Sequence, residues 1–388
     1  MNNVVIIGLI SFFTDISTEM VYPLIPLYLV SAFGATPALI GIIEGIAESL
    51  ASLLKVYSGY LTDRFQKKKA LAFSGYSTGI IYKIALIFAN SWIGILGARV
   101  IDRIGKGIRT APRDVLVSES IDKENIGKAF GLHKALDMFG AGLGILITYF
   151  IILNSSGDYN YKHLFALSII PAALGLLMFV FVKQKKAEKV IKTHEPFWKN
   201  VNKIDGQLKL YLLVVFIFTL GHSSNAFFVL KAKSVGIDDA GVILLFFIYH
   251  IVASLLSMPF GKLSDKIGRK NLLVPGYISF AVCYFGFAFS SNQIGMYIVF
   301  GLFGIYTAMI TGVERAFVAE ISPPELKGTM LGLHSTISGI ALLPASIIAG
   351  VLWTKFGSAV SFSFGASLSV ISAMLLLIFM KNKKNIEN

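Results

Sequence analysis

The 388-residue chain is 55% hydrophobic and 13% aromatic, with a formal net charge of +13 and a mean hydropathy of +0.71. A soluble domain of this size holds more charge and fewer long apolar runs, so a soluble globule is excluded. The alternating pattern of outer-membrane strands, about ten residues each, is also absent. Basic residues gather in short connectors between apolar runs, which reads as membrane orientation rather than nucleic-acid binding.

Apolar stretches of about 20 residues, enough for a helix to cross roughly 30 Å of hydrocarbon, recur along the chain. They are predicted over 3–33, 37–61, 70–90, 92–117, 124–153 and 161–182. A second set follows over 208–232, 238–261, 270–290, 293–319, 326–352 and 358–380. The opening "MNNVVIIGLISFFTD" lacks a basic n-region and a small-residue cleavage site, and reads as a first span rather than a removed signal peptide. The connectors "TDRFQKKK" and "SDKIGRK" and the tail "KNKKN" are basic, whereas "FGATP", "ANS" and "SSNQ" carry no Lys or Arg. With twelve spans the basic connectors share one side, which places both termini and the long basic connector in the cytoplasm. The single cysteine, Cys283, sits inside an apolar run and reads as a small buried hydrophobe, with no intrachain disulfide or thiolate cluster to join.

The halves repeat. "GYLTDRFQKKKAL" begins at Gly59 and "GKLSDKIGRKNLL" at Gly261, an offset of 202 (261 − 59). "ENIGKAFGLHKAL" begins at Glu124 and "ELKGTMLGLHSTI" at Glu325, an offset of 201 (325 − 124). Two motifs in one order at nearly one offset indicate a duplicated six-helix unit. The predicted fold is an all-α integral membrane protein of about twelve spans in two halves related by pseudo-two-fold symmetry. The expected limits are a bundle over 1–183, a cytoplasmic linker over 184–207 and a second bundle over 208–388.

These residues carry a resemblance. The chain is similar to the major facilitator superfamily, whose hallmark is a loop of the form G-x-L-x-D-R-x-G-R-K after the second helix. "GKLSDKIGRK" matches with Lys266 for Arg, and "GYLTDRFQKK" matches except for Gln66 in place of a glycine. The resemblance spans essentially the whole chain. It implies a transporter that acts by alternating access, as a monomer in the lipid bilayer. It also implies a conformational latch at Gly59, Asp63 and Arg64 and at Gly261, Asp265 and Arg269. The glycines let helices approach closely, and the acids sit at helix ends, where they can pair with a base.

Charges within the spans mark the candidate site, because an ionisable group facing lipid costs several kcal/mol and so turns inward. Asp15 and Glu19, four residues apart, share one face of the first helix, and Pro23 and Pro26 follow. Glu44 and Glu48 repeat that spacing on the second, where Glu44 reads equally as a solvated outer residue. Arg99, Asp102, Arg103 and Lys106 line the fourth, with Arg109, Arg113 and Asp114 nearer its cytoplasmic end. His133 and Asp137 lie in the fifth, beside Lys134. The second half is poorer: Arg99 and Arg103 map onto Phe300 and Gly304, and no acid matches Asp15 near Phe216 or Ile217. Secondary candidates there are His222, Asn225, His250 and Arg315, with Glu314 and His334 also polar.

A carboxylate in a partly dry cavity keeps its proton, and hydration from the other side releases it. The expected proton-coupling and substrate set is therefore Asp15, Glu19, Glu48, Arg99, Asp102, Arg103, His133 and Asp137. A proton gradient is the expected energy source, with no cofactor and no metal. In "FGAGLGILI" the fifth span keeps Gly140, Gly142 and Gly144 but lacks the proline of the family's proton-driven exporters. The expected activity is export of a small polar or drug-like molecule across the cytoplasmic membrane. Alternatives are an importer of small organic anions, with Arg99 and Arg103 as binders, and a metal exporter using Asp15, Glu19 and His133. "RIGKGIRTAP" is not a phosphate-binding loop, and no nucleophile motif or metal triad points to an enzyme.

Overall fold

The computed structural model describes residues 2–65, 67–120, 126–155, 159–184, 206–322 and 327–380. The expected linker falls almost wholly outside them, and so do the side chains of Gly59, Asp63 and Arg64. Laid end to end, the described helices form twelve rods. The first is Asn2–Glu19 resumed at Leu24–Phe33, followed by Pro37–Phe65, Lys68–Phe88, Trp92–Ser118 and Ile126–Asn154. The sixth joins Tyr161–Leu167, Ile169–Leu177 and the 3-10 turn Met178–Phe181. The seventh is Gly206–Gly221 resumed at Ala226–Ser234, followed by Asp239–Ile267 and Arg269–Phe289. The tenth joins Gln293–Ile310 to Val313–Ile321, and Lys327–Phe356 and Ser358–Phe379 complete the chain. Eleven rods are long and apolar enough to cross a membrane. The exception is Trp92–Ser118, the predicted fourth span, whose seven charges from Arg99 to Asp114 lower its apolarity.

The interruptions have local causes. Pro23 has no N–H to offer the carbonyl of Glu19, so the first rod stops there and restarts past the proline. The seventh rod breaks at the equivalent place, His222–Asn225, where the Ser224 hydroxyl accepts from the Ala226 amide at 3.3 Å. Ser91 caps the fourth rod by accepting from Gly94 N–H (3.2 Å), and Asn292 caps the tenth from Gly295 N–H (2.7 Å). Gly268 joins the eighth and ninth rods at φ +90°, a conformation that favours glycine. It is the hallmark-loop glycine; its counterpart Gln66 lies outside the described residues.

The chain forms two compact units. The first comprises Met1–Thr36, Ile46–Val190 and Ile237–Phe247, the second Pro37–Gly45, Ile191–Gly236 and Ile248–Asn388. In the first unit the first rod packs on the fifth and sixth, and the third runs beside the fourth. In the second unit the seventh packs on the eleventh and twelfth, and the ninth beside the tenth, so the pairing pattern repeats. Gly140 and Gly144 allow the fifth rod to reach the backbone of the first, since a methyl on either would collide with the Phe12 or Ile16 carbonyl oxygen.

Ion pairs repeat too. Lys68 pairs with Glu119 in the first unit, and Arg269 pairs with Glu320 at 2.5 Å in the second. Arg269 also reaches Asp265 at 3.4 Å. Elsewhere in the first unit, Tyr159 and Tyr161 both donate to Asp239, the latter at 3.3 Å. Burial and the hydrogen bond to Asp239 hold the Tyr159 phenol above its ordinary range, so it stays a donor.

Candidate functional site

The candidate site is built inside the first unit, from its first, second, third, fourth and fifth rods. Asp15 and Glu19 lie on the last turns of Asn2–Glu19, both half-buried. Asp15 makes no hydrogen bond and no ion pair among the described residues. The charges that act on it are Asp137, Arg109, Lys134 and Lys106. Those that act on Glu19 are Asp15, Lys106, Arg103 and Asp102. Three rods therefore converge on the two carboxylates.

The fourth rod supplies a separate, paired network. Arg103 binds Glu48 at 3.0 Å and Asp102 at 3.5 Å. Arg99 lies 3.8 Å from Asp102 and 3.9 Å from Glu48. Both guanidinium groups sit over the Tyr22 ring, at 5.4 and 5.9 Å, so the tyrosine after the acids adds a cation–π floor. Arg99, Asp102 and Arg103 are all buried. Four charges of balanced sign lie together here, which offsets part of the cost of their burial. Lys83 of the third rod is buried beside them and donates to the Gly79 carbonyl at 3.2 Å.

A third group runs from the third rod to the fifth through the first. The Ser11 hydroxyl lies 2.9 Å from the Tyr76 hydroxyl and 2.9 Å from His133 Nε2. His133 Nδ1 faces Asp137 Oδ2 at 3.7 Å. The Arg109 guanidinium covers the Tyr76 ring at 4.7 Å. All eight first-half candidates thus fall in one unit, divided between a paired network and the more open carboxylates of the first and fifth rods.

The remaining candidates are dispersed. Glu44, read as open to solvation, is buried, and the Ser224 hydroxyl reaches it at 3.4 Å. His222 and Asn225 sit at the break of the seventh rod, with His222 in ring contact with Phe218, Phe280 and Tyr306. His250 packs beside Tyr249, and Arg315 is exposed. Glu314 accepts from Tyr277 at 3.0 Å. Sequence reasoning reached Tyr22 only as an aromatic able to stack on a cation, and passed over Ser11, Tyr76 and Lys83. Only Lys83 carried a signal, as a lone base inside an apolar run; the others are residues any membrane helix uses for packing. Among the described residues no group of three or more His, Cys, Asp or Glu comes together as a metal site.

The description of the Major Facilitator Superfamily matches residues 7–230 and 210–388. An uncharacterised MFS-type transporter of Methanocaldococcus jannaschii is 36% identical over 381 residues, 97% of this chain and 94% of its own. The multidrug resistance protein MdtH of Photorhabdus laumondii is 20% identical over 330 residues, 83% of this chain and 79% of its own. The solved nucleoside transporter NupG shares the fold, with a TM-score of 0.77 at 13% identity over 99% of this chain and 100% of its own. With a duplicated six-helix chain and a family match from end to end, this multi-pass membrane protein belongs to the Major Facilitator Superfamily of transporters.

Proposed function

We propose that the chain is a proton-coupled exporter of a small polar or drug-like molecule. Asp15 and Glu19 carry the coupling proton, and Asp137 assists. The observation that carries this reading is the placement of Asp15. It is a half-buried intramembrane acid without an ion pair among the described residues, near Arg109, Lys134 and Lys106, while Arg99 and Arg103 of the fourth rod are engaged by Glu48 and Asp102. An acid held near fixed positive charges, but not locked to one, can exchange a proton for a substrate as hydration alternates. In this reading the paired network orients the fourth rod, and the hallmark loops around Gly59, Asp63 and Arg64 and around Gly261, Asp265 and Arg269 latch one access state. The protein works as a monomer in the cytoplasmic membrane with both termini in the cytoplasm, and it binds its small molecule without catalysis, cofactor or metal.

Export rather than import is supported by the glycines of the fifth rod, two of which contact the first rod's backbone, and by the name of the MdtH relative. A thermal-shift ligand screen on the purified protein identifies a substrate, and flux of that compound is then followed in proteoliposomes under an imposed pH gradient. Asp15→Asn and Glu19→Gln are each expected to abolish gradient-driven accumulation while the protein still binds the compound. Full accumulation by both variants would end the reading.

A further inference from the structure

We propose that Tyr76, Ser11 and His133 form a proton relay that delivers protons to Asp137, and that Ser11 is the residue that closes it. The inference rests on the proton-coupled reading above and adds the route. Three rods contribute one group each, and the heavy-atom spacings of 2.9 and 2.9 Å are those of continuous hydrogen bonds. Hydrogen positions follow from satisfying each group once. Asp137 favours a proton on His133 Nδ1, so Nε2 accepts from Ser11, and Ser11 accepts from Tyr76.

Transfer then balances atom by atom. Tyr76 is buried, so the relay loads when that end of the rods opens: the Tyr76 oxygen takes a proton from a hydronium ion, leaving water, and passes its own to the Ser11 oxygen. Ser11 passes its own to His133 Nε2, and Nδ1–H goes to Asp137 Oδ2 once their 3.7 Å separation shortens to hydrogen-bond length. One proton enters at Tyr76 and one rests on Asp137, after which the hydroxyls rotate and the imidazole returns to its first tautomer. The charges facing this path favour that direction. Arg109 lies at the Tyr76 end, and His133 is faced by Arg113, Asp137, Asp114 and Lys134. Asp15, on the other side, is acted on by Asp137, Arg109, Lys134 and Lys106. Asp137 Oδ2, the oxygen that faces Nδ1, receives the proton, and Oδ1 beside it is buried without a hydrogen-bond partner among the described residues.

The repeat supplies an internal control. Tyr277 and His334 stand 201 positions after Tyr76 and His133 (277 − 76, 334 − 133). At offsets of 201 and 202 from Ser11 stand Leu212 and Leu213, which can neither donate nor accept. There Tyr277 turns to Glu314 instead, and His334 Nε2 is buried with no hydrogen-bond partner among the described residues. Among the described residues, hydrogen bonds through a serine join the tyrosine to the histidine in the first unit, whereas in the second the Tyr211 ring stacks on His334, whose Nε2 is left without one.

The test uses the full chain in proteoliposomes and needs no substrate. A caged acid delivers a pH jump, and infrared absorption follows the C=O stretch of protonated Asp137, identified as the band missing in Asp137→Asn. Ser11→Ala is expected to slow appearance of the band by at least about tenfold, in the range of a lost positioned proton donor. Its end-point titration stays unchanged, and Ser11→Thr restores the rate. A structural role would move the end point instead. An unchanged rate in Ser11→Ala, or no Asp137 band in the unaltered protein, would overturn the relay. Because the readout is a protonation rate, failure here is distinct from failure of gradient-driven export.

Discussion

The two units place different chemistry at equivalent positions. In the first, Lys83, Arg99, Asp102 and Arg103 fill the space between the third and fourth rods with charge. At positions 201 further on stand Tyr284, Phe300, Phe303 and Gly304. The three rings belong to an aromatic core, with Tyr284 stacked 3.9 Å from Phe280 and Phe303 centred 5.2 Å from Tyr306. Rings of this kind contribute packing without a desolvation penalty. The scaffold accepts either filling, so the charges of the first unit are not demanded by the fold. Their cost of burial has to be offset by what they do, and that is the physical basis for reading the first unit as the working half.

The largest expected effect tests whether those charges are a closed network. Arg103→Met removes the 3.0 Å ion pair to Glu48, whose contact with Arg99 is longer, at 3.9 Å. Stripping one member from a buried ionic cluster costs about 3–5 kcal/mol. Replacing the network together, Glu48→Gln with Arg99→Met, Asp102→Leu and Arg103→Met, is expected to cost less than the single change, as apolar replacement of whole buried clusters does. Unfolding in mixed micelles measures both. If the fourfold variant is the less stable one, the first unit needs its charges to fold and the contrast with the second unit collapses.

An intermediate effect sharpens the comparison at the rod contacts. Gly144→Ala would push a methyl into the Ile16 carbonyl oxygen, next to Asp15 and about one turn from Glu19. Overpacking at a backbone contact costs about 1–3 kcal/mol. Separation of the first and fifth rods would also draw Asp137 away from Asp15. Gly142→Ala meets nothing within 4 Å and serves as the control. Gradient-driven flux is expected to fall in the first variant and to persist in the second. Equal flux in both would mean that the approach of these two rods does not set the site.

Much of this was legible in the sequence because membrane helices declare themselves by length and apolarity. The twelve predicted spans correspond to the twelve rods, and the repeat of "GLH" at His133 and His334 already pointed to equivalent sites. The fourth span was legible despite its charges because the apolar residues around Arg99 and Asp102 continue on both sides. What could not be read was pairing. Nothing in the order of residues says that Glu48 meets Arg103 rather than water, or that Ser11 lies between a tyrosine of the third rod and a histidine of the fifth. Such contacts arise only when the first rod lies against the fifth, and serine and tyrosine are too common in membrane helices to signal it alone. Glu44 read equally as an inward or a solvated residue for the same reason, since its burial depends on neighbours far away in the chain.

The smallest effect concerns what the units share. Lys68–Glu119 and Arg269–Glu320 occupy equivalent positions, each 201 apart (269 − 68, 320 − 119), and each pair ties the start of one rod to the rod end after the next apolar run. Partial exposure limits them: Glu119 is 38% exposed and Glu320 22%. Solvent screening brings such pairs to about 0.2–1 kcal/mol. Cys283, the single cysteine and buried in the second unit, reports unfolding there through a thiol-reactive dye. A double-mutant cycle with Arg269→Met and Glu320→Gln should give a coupling within that range. A cycle with Lys68→Met and Glu119→Gln, read by global unfolding, should give nearly the same value. Equal couplings would mark these pairs as fold-holding features preserved through duplication, unlike the buried charges of the first unit. A coupling confined to the first unit would instead join Lys68 and Glu119 to its working set, and would move the boundary between scaffold and site to the ends of the third and fourth rods.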